Sequence, residues 1–115
     1  MKTKKPECAT YPDGTKRWYL NGKCHRTDGP AYEGADGTKS WWLNGKIHRT
    51  DGPAIEYADG SKFWYLNDKL HRTDGPAIEY TNGSKIWWLN GKQIEPQVLV
   101  KKGYITEEEL FLILL

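Results

Sequence analysis

Through most of the chain apolar and polar positions alternate in short runs, and each run is closed by Asp-Gly, Asn-Gly or Asp-Gly-Pro. Pro53-Ala54-Ile55-Glu56-Tyr57-Ala58 leads into Asp59-Gly60-Ser61 and then into Lys62-Phe63-Trp64-Tyr65-Leu66. Extended run, Asp-Gly turn, extended run predicts a β-hairpin. A second tight turn follows at Leu-Asn-Gly-Lys, where Asn and Gly supply positive φ. An apolar residue, His-Arg-Thr and Asp-Gly-Pro come next. Here Gly is read as bending the chain and Pro as opening the next strand where no donor is needed.

The hairpin recurs every 23 residues. Aligned on the Asp/Asn-Gly pairs, the copies run from Asp13 to Ala35, Asp36 to Ala58 and Asp59 to Thr81, with a truncated fourth from Asn82. The second and third agree at 17 of 23 positions, and Glu7 to Pro12 stands where the last third of a repeat belongs. A fixed period of about 20 to 50 residues marks a stacked repeat architecture. The expected fold is all-β, a single-layer antiparallel hairpin array of about eight strands. It spans residues 7–95, between a basic flexible tail at 1–6 and a helical C-terminal cap at 96–115.

Recurrence sorts the two faces of the second strand. Trp18, Trp41, Trp64 and Trp87, with Leu20, Leu43, Leu66 and Leu89, are identical in every copy and two residues apart. They share a face, and a repeated core needs the same shape in each layer, so this is the expected packed side. The other face varies: Arg17, Ser40, Phe63 and Ile86 in one row, Tyr19, Trp42, Tyr65 and Trp88 in the other. If this row meets solvent it forms an aromatic strip suited to binding. The alternative is that both faces stay half-buried among neighbours of one twisted sheet.

Past Gly91 the pattern changes. Glu95 to Gly103 predicts a short helix with Pro96 at its first position, lysines in its last turn and Gly as the stop. Thr106-Glu107-Glu108-Glu109 reads as a capping box for a second helix. That helix closes on Leu110-Phe111-Leu112-Ile113-Leu114-Leu115, which either seals the open end of the array or serves self-association.

Six Trp and seven Tyr against two Phe, with twelve Gly, suit pleated surface and tight turns. The net charge of +2 is too small to imply a nucleic-acid partner. The chain shows no secretory signal and no apolar stretch of membrane-spanning length, so a cytoplasmic protein is expected. Cys24 fills the slot of Ile47 and Leu70, and Cys8 that of Ala31, Ala54 and Ala77. Both read as small buried hydrophobes with free thiols, a Cys8–Cys24 bridge being the alternative.

The residues Asn21-Gly22-Lys23-x-His25, Asn44-Gly45-Lys46-x-His48 and Asn67-Asp68-Lys69-x-His71 are each followed by Asp-Gly-Pro-Ala. With the 23-residue period they resemble the MORN repeat, in the variant arrays of tailed bacteriophages and large viruses. The resemblance covers residues 7–92 and implies a single-layer hairpin solenoid. The chain departs from the usual His-Gly at His25-Arg26, His48-Arg49 and His71-Arg72, and Asp68 replaces a Gly.

Three histidines in register do not make a metal site. Equivalent residues two strands apart lie roughly 10 Å from one another, whereas zinc ligand atoms lie within about 2 Å of the ion. His25, Arg26, His48, Arg49, His71 and Arg72 are read as repeat joints that bond neighbouring backbone and pair with Asp or Glu, Arg49 with Glu56 or Glu79. No cofactor or catalytic residue is implied, and an enzyme built on a His-Asp pair is the remotest reading. The leading expectation is a non-enzymatic protein-interaction module binding through Arg17, Tyr19, Trp42, Phe63, Tyr65 and Trp88. By the resemblance, its partner is a bacterial host protein of defence or metabolism. The rival is an aromatic-surface binder of single-stranded nucleic acid, nucleotide or carbohydrate. A homodimer through the apolar C-terminus is a further expectation, and no membrane association is expected.

Overall fold

The structure, a computed structural model, describes residues 4–114, so the first half of the expected tail and Leu115 lie outside the described residues. The strands of the first half are β1 (Glu7–Thr10), β2 (Lys16–Leu20), β3 (Lys23–Cys24), β4 (Tyr32–Glu33), β5 (Lys39–Ser40), β6 (Trp42–Leu43) and β7 (Lys46–Ile47). Those of the second half are β8 (Ile55–Glu56), β9 (Lys62–Phe63), β10 (Tyr65–Leu66), β11 (Lys69–Leu70), β12 (Ile78–Glu79), β13 (Lys85–Leu89) and β14 (Lys92–Ile94). Two helices close the chain, α1 (Pro96–Lys101) and α2 (Glu107–Leu114). All pairings are antiparallel, and the main sheet runs β1-β2-β4-β5-β8-β9-β12-β13-β14. The protein is an open all-β array of hairpins carrying a short helix pair.

The strands outnumber the expected eight because each repeat line is interrupted. Trp18 donates its N–H to the Ala31 carbonyl at 2.8 Å and accepts the His25 N–H at 2.9 Å. β3 and β4 therefore lie on one line beside β2, with residues 26–30 thrown out between them as a loop. Trp41 is bonded likewise to Ala54 and His48, and Trp64 to Ala77 and His71. Counted as lines, the sheet has nine.

Both kinds of turn follow from the backbone they demand. Tyr11 N–H reaches Thr15 C=O, Gly14 N–H reaches Tyr11 C=O, and Gly14 sits at φ +96°. This is a three-residue hairpin loop with its Gly in the left-handed position. The Asn-Gly turns have both central residues at positive φ, Asn44 at 50° and Gly45 at 80°, as a two-residue loop matched to strand twist requires. Asp68 holds φ 68° without being Gly, and its side chain accepts the Ile47 N–H at 2.7 Å from the preceding repeat. That bond offsets a strain of about 1–2 kcal/mol.

The layer is thin. Its extents are 51 × 34 × 19 Å and its radius of gyration 16.6 Å, where a compact chain of this length would have about 13 Å. Its accessible surface of 7809 Å² exceeds the roughly 6,500 Å² of a compact protein of this mass. The buried apolar residues among those described are Ala31, Ala54, Ala77, Ile78, Trp87 and Leu99. Trp18, Trp41 and Trp64 are half-buried, as are Tyr19, Trp42 and Tyr65 opposite, so the Trp/Leu face is not a packed core. Each Ala lies on the Trp face between two Trp-bearing lines, where a larger side chain would lift the rings.

One cysteine expectation changes, while that of free thiols stands. Cys8 is exposed, because β1 is the edge strand and no further line covers it. Its register partner is Trp18, whereas Cys24 faces Tyr19, so the two thiols project from opposite faces and a bridge between them is excluded.

The helices start and stop where their signals stand. In α1, Pro96 opens the helix, and Gly103 and Tyr104 donate to the carbonyls of Val100 and Leu99, with Gly103 at φ +80°. Thr106 and Glu109 bond reciprocally at 3.1 Å, completing the capping box before α2. Leu99 of α1 is buried, but α2 buries none of its side chains, and Phe111, Leu112 and Leu114 are 65%, 63% and 61% exposed. No described helix is long and apolar enough to cross a membrane.

The hairpin turns carry a pH signature. Asp13 and Asp36 accept the N–H groups of Thr15 and Thr38 at 2.9 Å, and these bonds hold both carboxyls below the usual carboxylate range. A carboxyl depressed by folding adds stability above its unfolded-state value and loses it as pH falls through the folded value. The thermal midpoint should therefore drop as pH falls below about 4. In the fourth copy Asn82 accepts the same bond from Ser84 without titrating. Replacing Asp13→Asn and Asp36→Asn together should leave the neutral-pH midpoint in place and flatten the acid limb, as read by circular dichroism melts.

Candidate functional site

The face bearing Trp18, Trp41 and Trp64 is organised by arginine. Arg49 leaves its line just after His48 and folds back so that its guanidinium carbon lies 3.8 Å from the Trp41 ring centroid. Its Nε donates to Asp51 at 2.8 Å, and its Nη1 donates to the Pro53 carbonyl at 3.0 Å and to Glu56 at 3.2 Å. Arg26 on Trp18 and Arg72 on Trp64 repeat the stacking at the same 3.8 Å and the bonds to Asp and Pro, with Glu33 and Glu79 farther off at 3.9 and 3.8 Å. Glu56, and not Glu79, is the acidic partner of Arg49. The Arg49 side chain also draws the Asp51 carboxyl below the usual carboxylate range.

The chain bends at Gly29, Gly52 and Gly75 as expected, but these glycines also do something else. None is among the positive-φ residues. A Cβ on Gly52 would lie 3.0 Å from the Arg49 guanidinium carbon, and one on Gly75 2.8 Å from that of Arg72. The glycine is there to admit the guanidinium, which is held between an indole and bare backbone. Sequence reasoning missed this, although His-Arg-Thr-Asp-Gly recurring as a block was the available signal.

The histidines tie one repeat to the next. Asn44 N–H donates to His25 Nδ1 at 2.9 Å, Asn67 N–H to His48 Nδ1 at 3.1 Å and Asn90 N–H to His71 Nδ1 at 2.9 Å. Each Nδ1 therefore acts as an acceptor, which places the ring proton on Nε2. Among the described residues no three His, Cys, Asp or Glu side chains gather where one metal ion could bind. Open clefts of about 530 and 580 Å³ lie between successive loops, floored by Trp64 and Trp41 and walled by the same His, Arg, Thr and Asp in each. They are copies of one gap, with no residue unique to either.

The opposite face holds the aromatic strip. Lys16, Glu33, Lys39, Glu56, Lys62, Glu79 and Lys85 stand directly opposite one another with alternating sign, which leaves their neighbours to form the other side. Those neighbours are Arg17, Tyr32, Ser40, Ile55, Phe63, Ile78 and Ile86, in one continuous row. Tyr19, Trp42, Tyr65 and Trp88 form the second row, paired with Cys24, Ile47, Leu70 and Gln93. Phe63 is met edge-on by Tyr57 at 5.1 Å and Tyr80 at 5.8 Å.

The strip is set by local bonds that differ between copies. Trp42 donates its indole N–H to Ser40 at 2.8 Å. Ile86 stands at the position of Ser40 in the last copy, and the buried Trp88 Nε1 has no partner there. Burial pushes the Tyr65 hydroxyl above its ordinary value, with Tyr57, Asp68 and Tyr80 adding to the effect. A bond between the Tyr11 and Tyr19 hydroxyls at 3.5 Å raises Tyr11 likewise. No protein-family model matches the chain, and no curated protein matches it in sequence.

The joint predicts a graded response to substitution. Gly52→Ala should destabilise the protein by about 1–3 kcal/mol by driving Arg49 off its indole. Thr50→Ala, on the exposed part of the same loop, should stay within about 0.5 kcal/mol. Urea denaturation of the two variants checks this, and equal effects would contradict it.

Proposed function

We propose that the array is a non-enzymatic interaction module that binds a protein partner through Tyr19, Trp42, Phe63, Tyr65 and Trp88, with Arg17 at one end. The observation carrying this reading is that, among the described residues, no second sheet layer lies over the aromatic face. Tyr11, Tyr57 and Tyr80, at its margin, are each 41% exposed. Large rigid aromatics at low conformational cost are what protein hot spots are made of. The loop face, by contrast, is occupied by its own arginines.

The charge on this face favours a protein over a nucleic-acid partner. Of its strand positions only Arg17 and Glu7 are charged, so there is no track of cations for a phosphate backbone. The resemblance to bacteriophage arrays supports a bacterial host protein as the partner, met in the host cytoplasm. Exposed Phe111, Leu112 and Leu114 support a homodimer through α2 as part of the same reading.

Affinity capture from bacterial lysate with wild-type bait, followed by mass spectrometry, should return a protein at stoichiometric level. A Tyr65→Ala, Trp88→Ala bait should lose it, each truncation weakening binding by about 30-fold or more. Equal capture by both baits, or none, would overturn the reading. Quenching of Trp fluorescence by an oligonucleotide would favour the nucleic-acid alternative. Sedimentation of the same sample, with Phe111→Ser as comparison, decides the homodimer.

A further inference from the structure

The strip is not uniform from end to end. In the row Arg17, Tyr32, Ser40, Ile55, Phe63, Ile78, Ile86, the polar members sit at the N-terminal end and the aliphatic ones beyond Ser40. Arg17 occupies the position that later copies fill with Ser40, Phe63 and Ile86, and Tyr32 the position filled by Ile55 and Ile78. The first of these positions changes in every copy, whereas the second is Ile in both later copies and departs only at Tyr32, so the N-terminal end is where the row is polar.

Arg17 also differs from every other arginine of the array. Arg26, Arg49 and Arg72 each meet two carboxylates, whereas among the described residues none lies within 4.0 Å of Arg17. Its guanidinium instead lies 5.0 Å from the ring centroid of Tyr32 and 5.9 Å from that of Tyr11. Glu7 is on the same face, opposite Tyr19, but makes no ion pair with it. The rings hold the guanidinium in place and leave its donor fork unfilled.

Beside it is a recess of about 290 Å³ lined by Arg17, Tyr19, Cys24, Tyr32, Ser40 and Trp42. That is below the range of about 300–1,000 Å³ typical of sites for drug-sized ligands, and suits one amino-acid side chain. Ser40 accepts the Trp42 indole N–H, which fixes the ring and leaves the Ser40 hydroxyl proton free to donate. Cys24 forms a wall: its thiol points to the Ala31 carbonyl at 3.8 Å, and burial pushes it above its ordinary value.

We infer that this recess receives a glutamate side chain from the partner. Its carboxylate pairs with the Arg17 fork and the Ser40 hydroxyl, and its methylenes lie against Trp42 and Tyr19. The inference rests on the strip being the binding face and adds what the partner presents there: an acidic residue flanked by apolar ones that continue onto Phe63 and Tyr65. A charge-assisted bidentate pair in a partly desolvated recess gives both orientation and selectivity.

The test is a nuclear magnetic resonance titration of the full chain with the tripeptide acetyl-Phe-Glu-Leu-amide, and separately with its Gln counterpart. The Glu peptide should shift the Trp42 indole N–H saturably and bind at least about 10-fold more tightly than the Gln peptide. Arg17→Ser installs the residue that the second copy already carries, so the fold tolerates it, and this variant should lose the preference. No shift with the Glu peptide, equal affinity for the two peptides, or a preference that survives Arg17→Ser would each overturn the inference. The strip reading is separable: it stands if Arg17→Ser keeps the captured partner while Tyr65→Ala, Trp88→Ala loses it. It falls alone if the Glu preference is seen but those variants keep the partner.

Discussion

The structure depends on a guanidinium held between an indole and a glycine, repeated at Trp18, Trp41 and Trp64. A sheet one layer thick has no second layer to bury its side chains, and the six buried apolar residues among those described are too few to hold the chain by area alone. The array makes its own cover on one side. Each extruded loop lays an arginine over a tryptophan, and its own Asp carboxylate and Pro carbonyl accept from that arginine while a strand Glu stands within 4 Å, so the charge is not stranded as it is covered. The fourth Trp shows the rule by its exception. Glu95 stands where the arginine would be, and Trp87 is instead buried at the end of the array where α1 follows.

From this constraint the two faces acquire different fates. The loop face is occupied: its arginines are paired, its histidine Nδ1 atoms accept from the next repeat, and its glutamates reach its arginines. Among the described residues the strip face bonds to itself at Trp42, Arg17, Tyr11 and Cys24 and through the edge contacts of Phe63, and carries no ion pair. A rigid surface with one face committed to holding itself together leaves the other for recognition. The alternating Lys and Glu along the main sheet contribute by keeping cross-strand charge neutral, which fixes register without drawing in a polyanion.

Much of this was legible in the residues. Asn-Gly and Asp-Gly announced both turns, the period announced the array, and Thr106 with Glu109 announced the start of α2, because each of these signals acts within a few residues and needs no tertiary partner. What was not legible depends on neighbours across the sheet. Gly52 reads only as a bend until Arg49 is seen against it. Cys8 looks buried until its strand proves to be the edge. Asp68 looks like a lapse from the repeat until its carboxylate meets the Ile47 amide. The apolar run of α2 divides in a way the residues do not announce: Leu110 and Ile113 are half-buried, while Phe111, Leu112 and Leu114 face outward. At the strip, alternation gave the membership of the face, but Arg17 stood out only once every other arginine was seen to be paired.

A double-mutant cycle on Trp41 and Arg49 addresses the joint most directly. With Trp41→Leu, Arg49→Met and the pair compared by urea denaturation, the account predicts a coupling of about 1 kcal/mol or more between the two side chains. A coupling indistinguishable from zero, with each substitution costing the same whether or not the other is present, would contradict it.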